Sequence, residues 1–175
     1  MTGIVTGRQT VVGEQPMVVV LIGARINNWW LLPIALPILG RMRAMQQELL
    51  ADPESGLLAI QSFGPGGDVQ YWRSIDHLLA YARDEQREHV PAMRRFWKKI
   101  FKNQAVGVWH EIFVVAAGHY EGMYVNMPPK GLGRIGPLQP AEGHLKTTRD
   151  RLSVAVFEKG PVEPIQQPHA RDHVA

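Results

Sequence analysis

Residues 17–26, Met-Val-Val-Val-Leu-Ile-Gly-Ala-Arg-Ile, make a short apolar run rich in β-branched side chains, which reads as a buried strand. From Ile38 the apolar positions 38, 39, 42, 45, 49 and 50 keep the spacing of one helical face. That helix is expected to stop near Asp52-Pro53, because the residue before a proline avoids the helical region. Leu57–Phe63 and Asp68–Arg73 flank Gly64-Pro-Gly-Gly67 and read as a hairpin. Ser74 then precedes a helical pattern running to Arg83, with its hydroxyl placed to cap the first turn. In 89–102 an apolar face (Ala92, Met93, Phe96, Trp97, Ile100, Phe101) backs a basic one, which predicts a second helical piece with a solvated outer side. Residues 105–116 and Tyr120–Met127 read as two more strands.

The order β-α-β-β-α-β is the split βαβ, ferredoxin-like pattern of an α+β protein, an antiparallel sheet with helices on one face. Its other face needs cover, and a second copy supplies it most simply, so a homodimer is expected from the layers alone. From Pro128 to Ala175 seven prolines and five glycines fall in 48 residues. The chain therefore divides into a domain at 1–127 and an extended arm and tail at 128–175, with at most a short strand at Leu152–Phe157.

Composition narrows the chemistry. The 175 residues include no cysteine, which excludes disulfides, thiolate-held metals and a cysteine nucleophile. The charge of +3 is too small for a continuous phosphate-tracking surface, so no nucleic-acid partner is expected. Met1–Arg8 has no apolar core of a signal peptide, which points to the cytoplasm. Arg25, Asn27, Asn28, Pro33 and Pro37 interrupt the apolar stretch 17–39, which argues against a spanning segment. Within it, Trp29–Leu39 reads as core or subunit interface, or as the mouth of a site for a greasy substrate. Gly131-Leu-Gly-Arg-Ile-Gly136 matches a dinucleotide fingerprint but sits among prolines with no amphipathic helix behind it, so it is not read as one.

Among seven histidines, His110 stands out. Period-two alternation puts Val106, Val108, His110, Ile112 and Val114 on one side of a strand and Trp109, Glu111 and Phe113 on the other. Two roles fit an imidazole in an aliphatic row: a buried neutral side chain bonded to backbone, or a desolvated base or metal ligand. Arg25 and Arg73, at strand ends, need an anionic partner if buried; a ligand carboxylate or enolate, or Glu111, would serve. His119 and Glu121 share a strand face without a third ligand, a weak metal case.

Six segments in order, Ile22–Asn27, Asp52–Leu57, Val69–Ser74, Glu88–Ala92, Gly107–Glu111 and Tyr124–Pro129, resemble a family of bacterial and fungal proteins related to the monooxygenase of the fumagillin pathway. The resemblance covers roughly residues 3–137; His119 and the segment after Leu145 depart from it. It implies the dimeric α+β barrel of the antibiotic-biosynthesis monooxygenases, and oxidation of an apolar or polyketide-like small molecule. Some superfamily members work without a cofactor and others hold haem b. On that reading His110 is the base, or the axial ligand if haem is bound, with Arg25 and Glu111 beside it in catalysis. Asn27, Tyr71, Trp72, Arg73 and Tyr124 are then the substrate-binding residues. A non-catalytic dimer that binds an apolar metabolite or haem is the competing expectation.

Overall fold

The computed structural model describes residues 3–64, 66–83, 98, 104 and 106–153. The helix expected at 89–102 and most of the strand expected at 152–157 lie outside them; Leu152 and Ser153 themselves are not in a strand.

Four strands build the larger sheet: β2 (Met17–Ile26), β3 (Leu57–Ser62), β4 (Gly67–Trp72) and β5 (Val106–Val115). Every pairing is antiparallel, in the order β3-β4-β2-β5. The first strand of the pattern thus sits between the third and the last. This order is consistent with a ferredoxin-like arrangement in an α+β protein. β2 carries the β-branched run and pairs along its whole length with β5, Met17 opposite Val115 through to Ile26 opposite Val106.

Helices α1 (Leu32–Ala51) and α2 (Ile75–Arg83) connect these strands. α1 begins six residues before the expected Ile38. Pro33 falls in its first turn, where the missing N–H costs nothing, while Pro37 sits inside the helix and takes a donor from it. A 3-10 turn at Trp29–Leu31 leads in, started by the Asn28 side chain, which accepts the Trp30 N–H at 3.0 Å. At the start of α2 the Ser74 hydroxyl accepts the His77 N–H at 3.3 Å and meets His77 Nδ1 at 2.7 Å, as the sequence reading of a hydroxyl cap requires.

Both helices pack on one side of the sheet. Val18, Val20, Leu57 and Trp72 bury against Leu49 of α1, with Ile22 and Ile60, and Ile75, Leu78 and Tyr81 of α2, around them. Trp72 is 1% exposed and its indole N–H bonds Gln70 Oε1 at 3.0 Å, so this buried polar pair is satisfied.

The sequence pattern gave no sign of β1 (Val5–Val12). It pairs antiparallel with β6 (Glu121–Met127) on one edge and with β7 (Gln139–Pro140) on the other, forming a second, three-stranded sheet. β1 is mostly polar, and only Thr10 and Val11 are buried, which removes the alternation that betrays a strand. Residues 128–153 return along this sheet. Gly131–Arg134 forms a 3-10 turn rather than the start of a helix, and β7, a second 3-10 turn at Gly143–Leu145 and the short α3 (Thr148–Arg151) follow. Arg151 is 2% exposed and pairs with Glu121 of β6 at 3.1 Å. Its guanidinium also donates to the carbonyls of Leu145 and Lys146.

Candidate active site on the four-stranded sheet

Residues directly opposite one another in antiparallel strands point to the same face. His110 lies opposite Ile22, and Ile22 lies opposite Asp68. Ile22 packs with the helix-side core, so His110 and Asp68 are helix-side too, two strand spacings or about 10 Å apart. α1 reaches this row: Gln46 Nε2 donates to Asp68 Oδ2 at 2.8 Å. Trp72, in the same layer, is enclosed in the core.

Strand β5 keeps the expected alternation, but His110 is exposed. Among the described residues β5 has a neighbour on one edge alone, and from Trp109 to Val114 every residue is exposed, on both faces. The aliphatic row therefore floors the imidazole without enclosing it.

The other face carries most of the remaining candidates. Glu111 lies opposite Leu21 and Arg25 opposite Gly107, and both charged side chains are exposed. Tyr71 lies opposite Val19 on this face, and the Trp109 ring lies against Gly23. Asn27, just beyond β2, donates to the Gln104 carbonyl at 3.1 Å. Arg73, just beyond β4, is exposed. The structure thus separates His110 from Arg25, Glu111 and Tyr71 by the thickness of the sheet.

Tyr71 and Tyr124 are joined through the Gly131–Arg134 turn. The Tyr124 hydroxyl donates to the Lys130 carbonyl at 2.7 Å and accepts the Gly133 N–H at 2.7 Å. Gly131, at φ +52°, lies under the Tyr71 hydroxyl, where a Cβ would stand 2.7 Å from the oxygen. Burial pushes the Tyr71 hydroxyl above its ordinary pKa, helped by the charge Tyr124 would carry. Burial does the same for Tyr124, against the opposing pull of the Gly133 N–H.

His119 stands in the turn before β6, and the Glu121 carboxylate is held by Arg151, so the two are not a ligand pair. Among the described residues no three His, Asp or Glu side chains gather where they could hold a metal ion. A haem needs an axial ligand within an apolar slot. His110 is exposed, and its row runs to the polar Gln46–Asp68 pair in the layer between sheet and helix. The described residues do not fit that group, and no chemistry is routed through it.

Asp68 and Gln46 were not among the sequence candidates. A carboxylate in a hairpin strand is ordinary, and its partner lies 22 residues away on another element, so only the strand register brings them to His110's row.

Comparison with known proteins places this geometry. The family model described as monooxygenase af470-like matches residues 17–132, from the first residue of β2 into the Gly131–Arg134 turn. Monooxygenase af470 of Aspergillus fumigatus is 31% identical over 135 residues, covering 70% of this chain and 47% of that protein. The chain spans about half the length of the curated relative it matches.

Proposed function

The chain belongs to the family of af470-like monooxygenases, and from that premise we propose that it is a homodimeric oxidoreductase that oxygenates an apolar, polyketide-like small molecule on the helix side of its sheet. The observation that carries this reading is the row His110–Ile22–Asp68, an imidazole and a carboxylate flanking an aliphatic floor. Imidazole exchanges protons near neutral pH. His110 takes the proton of a phenolic or enolic O–H, and Asp68, oriented by Gln46, accepts a hydrogen bond from a second substrate hydroxyl. The resulting anion is electron-rich enough to reduce dioxygen directly. For a CH₂ conjugated to it, one oxygen atom stays as C=O and the other leaves as water with the two hydrogens. The substrate itself thus supplies every electron.

The second copy covers the face opposite the helices. There Trp109 and Phe113 are 49% and 47% exposed beside half-buried Val19 and Leu21, an apolar surface on a sheet edge. Arg25 and Glu111 lie on that face and serve the contact between copies.

Oxygen uptake with a panel of polyketide-like phenols tests the reading. His110→Ala is expected to lower turnover about tenfold or more, and a smaller drop sinks the base role. The purified protein is expected to lack a Soret band; finding one would move the chemistry to haem. Tight binding of such compounds without oxygen uptake would select the competing reading, a dimeric binding protein for an apolar metabolite.

A further inference from the structure

We propose that the outward face of α1, together with Trp29 and Trp30, docks the protein in the plane of an anionic lipid bilayer. Trp29 is 74% exposed and Trp30 91%, so two aromatic rings stand in water, about 300 Å² or more of apolar surface. The exposed positions that follow on α1, Pro33, Leu36, Pro37, Gly40, Arg43, Ala44 and Gln47, recur at helical spacing and define its outward side. A surface helix normally turns charge outward. Here the outward side carries none until Arg43, and Leu36 is 56% exposed.

Charge selects the partner. From Gln15 to Gln47 the chain has no acidic residue, and its charged side chains there are Arg25, Arg41 and Arg43. An apolar patch with tryptophans at one end and arginines after it matches a headgroup interface, where indole rings settle at the boundary and cations meet anionic lipids. No helix among the described residues is long and apolar enough to cross a membrane, so the helix lies on the surface rather than spanning it. Pro33, Pro37 and Gly40 each weaken an isolated helix, and an apolar partner along that face offsets their cost. A second copy is the lesser candidate, because the face it would cover lies on the other side of the sheet. The proposal does not depend on catalysis.

Flotation of the full chain with phosphatidylcholine vesicles, with and without phosphatidylserine, tests it. The wild type is expected to float with phosphatidylserine-containing vesicles and to be released by salt. Trp29→Ser/Trp30→Ser is expected to bind at least about tenfold more weakly. Arg43→Glu is expected to lose the preference for phosphatidylserine. A wild type that stays with the unbound fraction overturns the proposal, as does a double variant that floats equally well. A double variant that turns a dimer into a monomer also overturns it, by assigning the patch to a contact between copies. If far-UV circular dichroism shows the double variant unfolded, quenching of wild-type tryptophan fluorescence by brominated lipid decides: quenching supports docking, and its absence overturns it.

Discussion

Tyr124 and Gly133 meet twice. The hydroxyl of one accepts the N–H of the other at 2.7 Å, and the tyrosine ring occupies the space a Gly133 side chain would need, its Cζ 2.9 Å from where a Cβ would stand. The glycines of Gly131-Leu-Gly-Arg-Ile-Gly136, spaced like a nucleotide fingerprint, are thus seats for tyrosines. Gly131 receives Tyr71 from the large sheet and Gly133 receives Tyr124 from the small one, so one turn ties the two sheets together.

Tyr124→Phe removes the acceptor for the Gly133 N–H and the donor for the Lys130 carbonyl without changing ring volume. Leaving such groups unpaired costs about 1–3 kcal/mol. For a chain of this size the melting temperature should fall by about 3–10 °C, read by calorimetry. Gly133→Ala should also destabilise, by about 1–3 kcal/mol, because its methyl group drives the ring out of its seat. In a Tyr124→Ala background most of that clash is gone, and a double-mutant cycle should show the coupling.

Alkaline pH should loosen the same junction. Burial raises Tyr71 and Tyr124 above the ordinary value of 10.0, so the folded state prefers their neutral forms. That contribution is complete below pH 10.0 and is lost as pH rises through the folded values. Denaturant midpoints should therefore drop above pH 10.0, and drop less in Tyr71→Phe. Asp150 shows the opposite sign. Hydrogen bonds from the Thr147 side chain and backbone lower its carboxyl below 3.8, so the capping box of α3 contributes above that pH and is lost as pH falls through the lowered value.

Much of the large sheet was legible in the sequence, and the reasons are local. The β-branched run 17–26 has one structural solution, a buried central strand, and Ser74 announces α2 by its hydroxyl. β5 shows the limit: alternation tells which side His110 takes, whereas exposure depends on whether another strand lies beside it. The separation of His110 from Arg25 and Glu111 follows from register, which no local pattern around Arg25 discloses. β1 escaped because Thr6-Gly-Arg-Gln-Thr10 carries little apolar signal, and its strand character comes from pairing with β6, over a hundred residues away. α1 was placed late because Pro33 and Pro37 look like breakers, although a proline in the first turn is compatible with a helix.

Arg151 should hold the segment after Met127 to the small sheet. Its guanidinium is buried against Glu121 at 3.1 Å and bonds two carbonyls and Thr148. Arg151→Ala is expected to cost about 3–5 kcal/mol, since it leaves the carboxylate and those carbonyls without their partner. Limited proteolysis should then cut within 128–150 in the variant and spare the wild type. Replacing both partners, Arg151→Met with Glu121→Leu, should recover part of the loss, because no unpaired charge then remains.

The strand register makes a prediction about which variants behave alike. His110, Ile22 and Asp68 lie on the helix side, and Arg25, Glu111, Trp109 and Phe113 on the other. If each copy works on its helix side and pairs through its outer side, Asp68→Asn should lower turnover together with His110→Ala and leave the mass in solution unchanged. Phe113→Glu places a charge in the apolar part of the outer face, at a side chain already 47% exposed, so the single copy should still fold. Its expected effect is a shift of the light-scattering mass from dimer toward monomer, with Arg25→Glu and Glu111→Lys acting in the same direction. A Phe113→Glu variant that stays dimeric would mean that the copies meet elsewhere. An Arg25→Ala variant that loses turnover while remaining dimeric would bring the arginine back to the reacting substrate, and the sheet would then carry chemistry on both of its faces.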